Sequence, residues 1–130
     1  MSMLKTLIVE DNATFRETFT EALGQRFPFM VIETALNGTE ALENIMAFLP
    51  DLVFMDICLP GENGLELTKK IKESHPQIIV IMLTDYDLPE YREAAYRGGA
   101  DGFMPKGTLN LEEIGALIQS IFPDTDLMNS

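Results

Sequence analysis

A chain of 130 residues is one domain by length, long enough to bury roughly two thirds of its unfolded surface without disulfides or structural metals. With 46% hydrophobic and 23% charged residues its composition is that of an ordinary globular protein, and its longest apolar runs fall short of the ~20 residues that a membrane span needs. The formal net charge of −12 repels nucleic acid and anionic lipid, whose recognition rests on Lys and Arg neutralising phosphates, so neither DNA nor membrane is an expected direct partner.

Residues 5–9 are predicted to form the first strand, with Leu7-Ile8-Val9 running into Glu10-Asp11. Phe15, Phe19, Ala22, Leu23 and Phe27 then recur at helical spacing until Pro28. A second strand covers Met30 to Ala35, followed by the turn Asn37-Gly38. The next helix carries Ala41, Leu42, Ile45, Met46 and Leu49 on one face and stops at Pro50. Leu52-Val53-Phe54-Met55 runs into Asp56 as a strand buried on both faces, and the chain turns through Pro60, Gly61 and Gly64 into a third helix. Leu65, Thr68 and Ile71 mark that helix, which ends before Pro76.

Ile78 to Leu83 make the fourth strand, which runs into Thr84. Pro89 opens the fourth helix, and Arg97-Gly98-Gly99 closes it with a residue suited to the left-handed conformation. Phe103-Met104-Pro105 is the last strand and runs into Lys106. The last helix starts at Asn110, with Glu113 three residues on as a variant of the capping box, and buries Ile114, Leu117, Ile118 and Ile121. The aliphatic stripes of these helices are expected to be core.

Strict alternation of strand and helix implies right-handed crossovers, hence an α/β fold with helices on both faces of a parallel sheet. Ligands of such sheets bind outside the carboxyl ends of the strands. There the pattern gathers Glu10, Asp11, Asp56, Thr84 and Lys106. Each alone has an ordinary explanation, as a strand end, a cap, a strand threonine or a solvated lysine. Together, at the ends of adjacent apolar strands, they indicate a site. Elsewhere chemistry is sparse: Cys58 is the single cysteine, which excludes an internal disulfide, and His75 is the single histidine, expected at a helix C-terminus. No charged-apolar-small signal segment opens the chain, so the cytoplasm is the default location.

Glu10-Asp11, Asp56 with Pro60 and Gly64, Thr84, and Lys106 after Gly99-Ala100-Asp101-Gly102-Phe103 resemble the signature set of bacterial two-component response-regulator receiver domains. The resemblance covers residues 4 to about 122. It implies a chemotaxis-regulator-like, doubly wound flavodoxin-like fold with five parallel strands in the order 2-1-3-4-5. Asp87-Leu88-Pro89-Glu90-Tyr91 and Gly102-Phe103-Met104-Pro105-Lys106 look most like regulators that carry a C-terminal helix-turn-helix DNA-binding domain. Residues 1–122 are then the expected receiver domain, and residues 123–130 a tail or the start of a linker to an output domain.

The function implied is a phosphoacceptor that takes a phosphoryl group on Asp56 from a histidine kinase or phosphotransfer protein. It would catalyse only its own phosphorylation and dephosphorylation, and would not be an enzyme acting on a separate substrate. Two like charges ~4 Å apart cost roughly 4 kcal/mol at an effective dielectric near 20, so the acidic cluster needs a cation. Mg²⁺ takes carboxylate and carbonyl oxygens, which makes Glu10, Asp11, Asp56 and the main-chain carbonyl of Cys58 the candidate ligands; the thiol would prefer a softer metal. Asp56 is the candidate nucleophile, with Lys106 and Thr84 each meeting a phosphoryl oxygen. Phe103, at an odd offset from Lys106, is predicted to project from the opposite side of its strand. The resemblance makes Phe103 the aromatic that turns inward as Thr84 moves toward the phosphoryl group. The face of the fourth helix, last strand and fifth helix, including Tyr91, Ala95 and Tyr96, would then serve a homodimer or an output domain, with transcription as the expected output.

The chain departs from the family pattern at Asp85, where a small residue is expected after Thr84, and at Gly107, where many members have proline. A carboxylate at position 85 would narrow access and repel an incoming donor. Two alternatives follow: a receiver-like interaction module that works without phosphorylation, and a flavodoxin-like ligand binder or redox carrier. The latter lacks a Ser/Thr/Gly-rich phosphate loop after the first strand, where Glu10-Asp11 would repel a phosphate.

Overall fold

Every residue from Leu52 to Asp56 is buried, as a strand with neighbours on both edges and helices on both faces requires. In this computed structural model, which describes residues 3–123, that strand is β3 and lies at the centre of a five-stranded parallel sheet. The elements follow in the order β1 (Leu4–Val9), α1 (Ala13–Arg26), β2 (Met30–Ala35), α2 (Gly38–Phe48), β3 (Leu52–Asp56), α3 (Gly64–Ser74), β4 (Ile79–Thr84), α4 (Pro89–Arg97), β5 (Gly102–Pro105) and α5 (Leu111–Ile121). A single 3₁₀ turn, Lys106–Thr108, separates β5 from α5 and was not legible in the sequence. The strand order β2-β1-β3-β4-β5 is the doubly wound order expected. Residues 124–130 of the anticipated tail lie outside the described residues.

Strand side chains alternate faces, so β3 feeds two separate cores. Val53 and Met55 join Leu7, Val9, Val80 and Met82 under α2, α3 and α4, which contribute Ala41, Ile45, Leu67, Ile71 and Ala95. Leu52 and Phe54 join Ile8, Ile81 and Leu83 under α1 and α5, which contribute Phe19, Leu23, Phe27, Ile114 and Ile118. The helix starts follow from capping chemistry: Asn12, Asn37, Asn63 and Asn110 each accept from a main-chain N–H of the first turn. Gly99, with φ +101, supplies the left-handed turn after α4.

Several expectations about the helix faces fail. On α2 only Ala41 and Ile45 are core, while Leu42, Met46 and Leu49 are exposed. The helix presents a single row to the sheet; Leu42 and Met46 stand one position further round, and Leu49 lies past the last turn with φ 51. Ala95, expected on the partner face of α4, is buried against the sheet, leaving Tyr96 exposed and Tyr91 half-buried. Leu117 and Ile121 of α5 are half-buried rather than core.

The amino ends of the strands are laced by side chains. Asp51 Oδ2 accepts from Lys5 N at 2.9 Å, while its own main chain bonds Lys5 O at 2.8 Å and Ile79 N at 3.0 Å. Lys72 Nζ donates to Pro76 O at 3.2 Å and Ile78 O at 2.7 Å and pairs with Asp101 Oδ2 at 2.9 Å; that oxygen also accepts from Val80 N at 2.9 Å. No helix among the described residues is long and apolar enough to cross a membrane.

Candidate functional site

At the opposite, carboxyl ends of the strands the chain builds an open cleft of about 690 Å³. Glu10, Asp11, Asp56, Cys58, Asp85, Lys106 and Gly107 line it together with Asn12, Thr14, Phe15 and Thr18 from the start of α1. The acidic pair sits on the β1–α1 connection. Glu10 is fully buried, its Oε2 accepting from Asn12 N at 3.0 Å, and Arg16 Nη1 donates to the carbonyls of Glu10 at 3.0 Å and Asp11 at 3.4 Å. Asp11 is exposed. The arginine fixes the main chain of the pair through these two carbonyls.

Asp56 ends β3 and is 4% exposed. The loop that follows is drawn tight by Gly64 N donating to Ile57 O at 2.7 Å and by an antiparallel bridge between Cys58 and Asn63. Gly61 supplies a positive φ of 75 within it. Cys58 N donates to Asp56 Oδ1 at 3.4 Å. One carboxylate oxygen from each of Glu10, Asp11 and Asp56 falls within 4.8 Å of the others. This is an all-oxygen donor set of the type that hard divalent cations take, so the residues fit Mg²⁺.

Lys106, the first residue of the 3₁₀ turn, supplies the countercharge: Nζ lies 2.5 Å from Glu10 Oε1 and 3.3 Å from Asp56 Oδ1. Burial, reinforced by the Glu10 charge, pushes the Asp56 carboxyl up to about 7, with Lys106 pulling the other way. For Lys106 burial favours the neutral amine, but the Glu10 hydrogen bond and the charges of Asp56, Glu10 and Asp85 outweigh it and hold the ammonium above the ordinary lysine range. The cluster therefore balances three crowded carboxylates against the Lys106 ammonium, and the Asp56 carboxyl is raised to about 7.

Glu10, Asp11, Asp56 and Lys106 are brought together. Thr84 is placed differently. It is buried at the end of β4, and its hydroxyl donates to Tyr86 O at 3.1 Å and accepts from Tyr86 N at 2.9 Å, so it closes its own loop and does not line the cleft. Phe103 faces the core under α4, 6% exposed, with the Arg92 guanidinium 4.8 Å from its ring centre. The Lys106–Gly107 peptide is trans, as are all the others described. His75 caps α3 through its main-chain N–H and takes no part in the cleft.

Sequence reasoning missed Arg16 and the cleft role of Phe15. The spacing of Phe15 from Phe19 predicts a helical face, and one turn of periodicity cannot tell a core position from the lip of a cleft. Nothing in the local pattern marks Arg16, whose partners are main-chain carbonyls.

The response regulator receiver domain family matches residues 6–119. Among curated relatives, the oxygen regulatory protein NreC of Staphylococcus carnosus is 36% identical over 115 residues, which cover 88% of this chain and 53% of that protein. The chain spans about half the length of the curated relatives it matches. Among solved structures, the signal receiver domain of a DNA binding response regulator protein from Colwellia psychrerythraea superposes with a TM-score of 0.86 at 26% identity, covering 93% of this chain and 99% of that one. A response regulator protein from Burkholderia pseudomallei, solved with a phosphorylated aspartic acid, calcium ion and citrate, gives a TM-score of 0.80 at 27% identity, covering 90% of this chain and 67% of that one. With the family's match spanning nearly the whole sheet and its five helices, the chain belongs to the response regulator receiver domains.

Proposed function

We propose that the chain is a phosphoacceptor of a two-component system, taking a phosphoryl group on Asp56 from a histidine kinase or phosphotransfer protein. The observation that carries this reading is the burial of Asp56 at the centre of the sheet edge, with carboxylate oxygens of Glu10 and Asp11 within 4.8 Å and the Lys106 ammonium at 3.3 Å. An Asp56 carboxylate oxygen attacks phosphorus, the bond from phosphorus to the donor's imidazole nitrogen breaks, and the donor leaves as imidazole that takes up a proton. The product on this chain is an acyl phosphate at Asp56.

Glu10, Asp11, Asp56 and the Cys58 carbonyl would hold Mg²⁺, which when bound supplies positive charge against the carboxylates and the phosphoryl oxygens. The chain's own contribution is position. Lys106 carries donors that shift from Glu10 to a phosphoryl oxygen while remaining beside Asp56, and Arg16 keeps the main chain of the acidic pair fixed. Thr84 must give up its bonds to Tyr86 before its hydroxyl can serve the phosphoryl group. The similar Burkholderia protein, solved with a phosphorylated aspartic acid and a calcium ion, supports aspartate as the acceptor residue type and a divalent cation as a partner of such a domain.

Phosphorylation then alters the face formed by α4, β5 and α5, where the exposed Tyr96 and the half-buried Tyr91 lie, and so promotes homodimerisation or the action of an output domain. Transcription is the proposed output, because the similar Colwellia receiver comes from a DNA binding regulator. The chain itself, at net −12, would repel nucleic acid and is proposed to have no direct contact with it. Asp85, which lines the cleft, favours the second reading of a receiver that signals without phosphorylation. Incubation with acetyl phosphate and Mg²⁺, followed by intact mass, decides between them: one added phosphoryl group, abolished in Asp56→Asn, establishes the first, and no addition to the native chain leaves the second.

A further inference from the structure

Lys106 has a third neighbour besides its two carboxylates. Its ammonium stands 4.8 Å from the centre of the Phe15 ring, and Phe15 lines the same cleft from the first turn of α1. That ring is itself held. Phe15 stacks on Phe19 with centroids 5.4 Å apart and planes at 26°, and Phe19 meets Phe54 edge-on at 5.1 Å and 84°. Phe54 lies two residues before Asp56 in β3, on the same face of the strand. The lysine is thus tied to β3 twice: once through the Asp56 carboxylate, and once through three aromatic rings rooted in the core.

The two ties differ in chemistry. A carboxylate consumes donors of the ammonium and is needed elsewhere when the acidic cluster takes a divalent cation. An aromatic face attracts the charge through its quadrupole and uses none of the donors, so the N–H groups of Lys106 stay available. If Phe15 were only a core residue, it would be covered; it is half-buried and presents its ring to the cleft.

We infer that Phe15 is a positioning residue for Lys106: its ring face keeps the ammonium beside Asp56 when Glu10 releases it, so that the lysine meets an incoming phosphoryl group already in place. The inference rests on the phosphoacceptor reading given above, and it adds a residue outside the acid, hydroxyl and lysine set.

A packing role and a charge-positioning role are separated by keeping the ring and changing its electrons. The full chain is prepared with Phe15 replaced by mono-, di- and trifluorophenylalanine, which preserve shape while progressively removing negative charge from the ring face, and by leucine. Each variant is titrated with beryllofluoride in the presence of Mg²⁺, using fluorine NMR to follow the bound phosphoryl mimic. Affinity is expected to fall stepwise with fluorination, by roughly 3- to 10-fold across the series, with Phe15→Leu at or below its end. The Nζ resonance of Lys106, observed in nitrogen-15 lysine-labelled protein without any ligand, should carry the ring-current shift of the native chain and lose it in Phe15→Leu. Equal affinity across the fluorinated series, or an unmoved Lys106 resonance in Phe15→Leu, overturns the inference. If the resonance moves as expected and no variant, native chain included, binds the mimic, the phosphoacceptor reading falls while the placement of Lys106 by Phe15 stands.

Discussion

Gly64 lies so close to the main chain of Asp56 that a Cβ at position 64 would stand 2.1 Å from the Asp56 carbonyl oxygen and 2.9 Å from Ile57 Cα. The first residue of α3 therefore abuts the strand that carries the site, and only a residue without a side chain fits. The atoms in the way are main-chain atoms of Asp56 and Ile57, which cannot swing aside as the end of a flexible side chain can.

Gly64→Ala is accordingly expected to push the 57–63 loop and Asp56 off their positions at a cost of about 2–4 kcal/mol. Urea unfolding measures the loss, and Mg²⁺ titration of the folded variant should show weakened binding as the Cys58 carbonyl moves. Native stability in Gly64→Ala would mean that the α3 start is free to slide.

Asp56 lends itself to a pH experiment. Its folded carboxyl is raised to about 7 from an ordinary 3.8, so between these values the folded chain keeps a proton that the unfolded chain has released. Stability from this group is whole below the unfolded value, falls as pH rises through the interval, and is fully lost above about 7. Asp56→Asn should then stabilise the cation-free protein by ~1–3 kcal/mol at alkaline pH and by much less in acid. Denaturant curves at several pH values check this; a difference independent of pH would show that the charge bears no penalty in the fold.

Asp85 is exposed, lines the cleft and contributes its charge to Lys106. Its carboxylate should slow small anionic donors. Asp85→Ala is expected to phosphorylate a few-fold faster with acetyl phosphate at low ionic strength, with the gain shrinking as salt shortens the Debye length from ~30 Å at 0.01 M to ~8 Å at physiological strength. Identical rates at low salt would place the Asp85 charge out of the donor's path.

Thr84 and Phe103 give a prediction about switching. The Thr84 hydroxyl is engaged with Tyr86 on both sides, and Phe103 already faces inward beneath Arg92. Since a ligand shifts only states that it binds differently, the phosphoryl group must act by drawing Thr84 out of its loop. Light scattering with beryllofluoride and Mg²⁺ should show the native chain moving toward dimer and Thr84→Ala moving less. Equal responses would route the coupling around Thr84.

Most of the fold was legible because the signals were redundant. Strands such as Leu52–Asp56 are continuous apolar runs, and helix boundaries carry Asn caps, Pro89 and Gly99. Of the site, the three acids and the lysine could be placed at one edge because strand ends in a parallel sheet share an edge. What escaped was side-chain direction: Thr84 turns into its own loop, Leu42 and Met46 face away from the sheet, and Phe15 faces the cleft. A one-residue rotation about a helix or a single hydroxyl rotamer leaves no trace in periodicity. Arg16 escaped for a related reason, since main-chain carbonyls accept from any donor that reaches them.

The lacing at the amino ends of the strands has a mechanical consequence. Lys72, Asp101 and Asp51 rivet that pole through neutral carbonyls and amides as well as through charge. At the other pole the side-chain link between the end of β5 and the centre of the sheet is a lysine held by carboxylates that a cation would claim. Charge exchanged at the cleft thus acts at the end of the strands opposite this clamp, and the response is expected to be largest toward α4 and the 3₁₀ turn. Amide exchange should follow the same gradient, slowest at Val80 and Lys5 and fastest beyond Thr84 and Lys106.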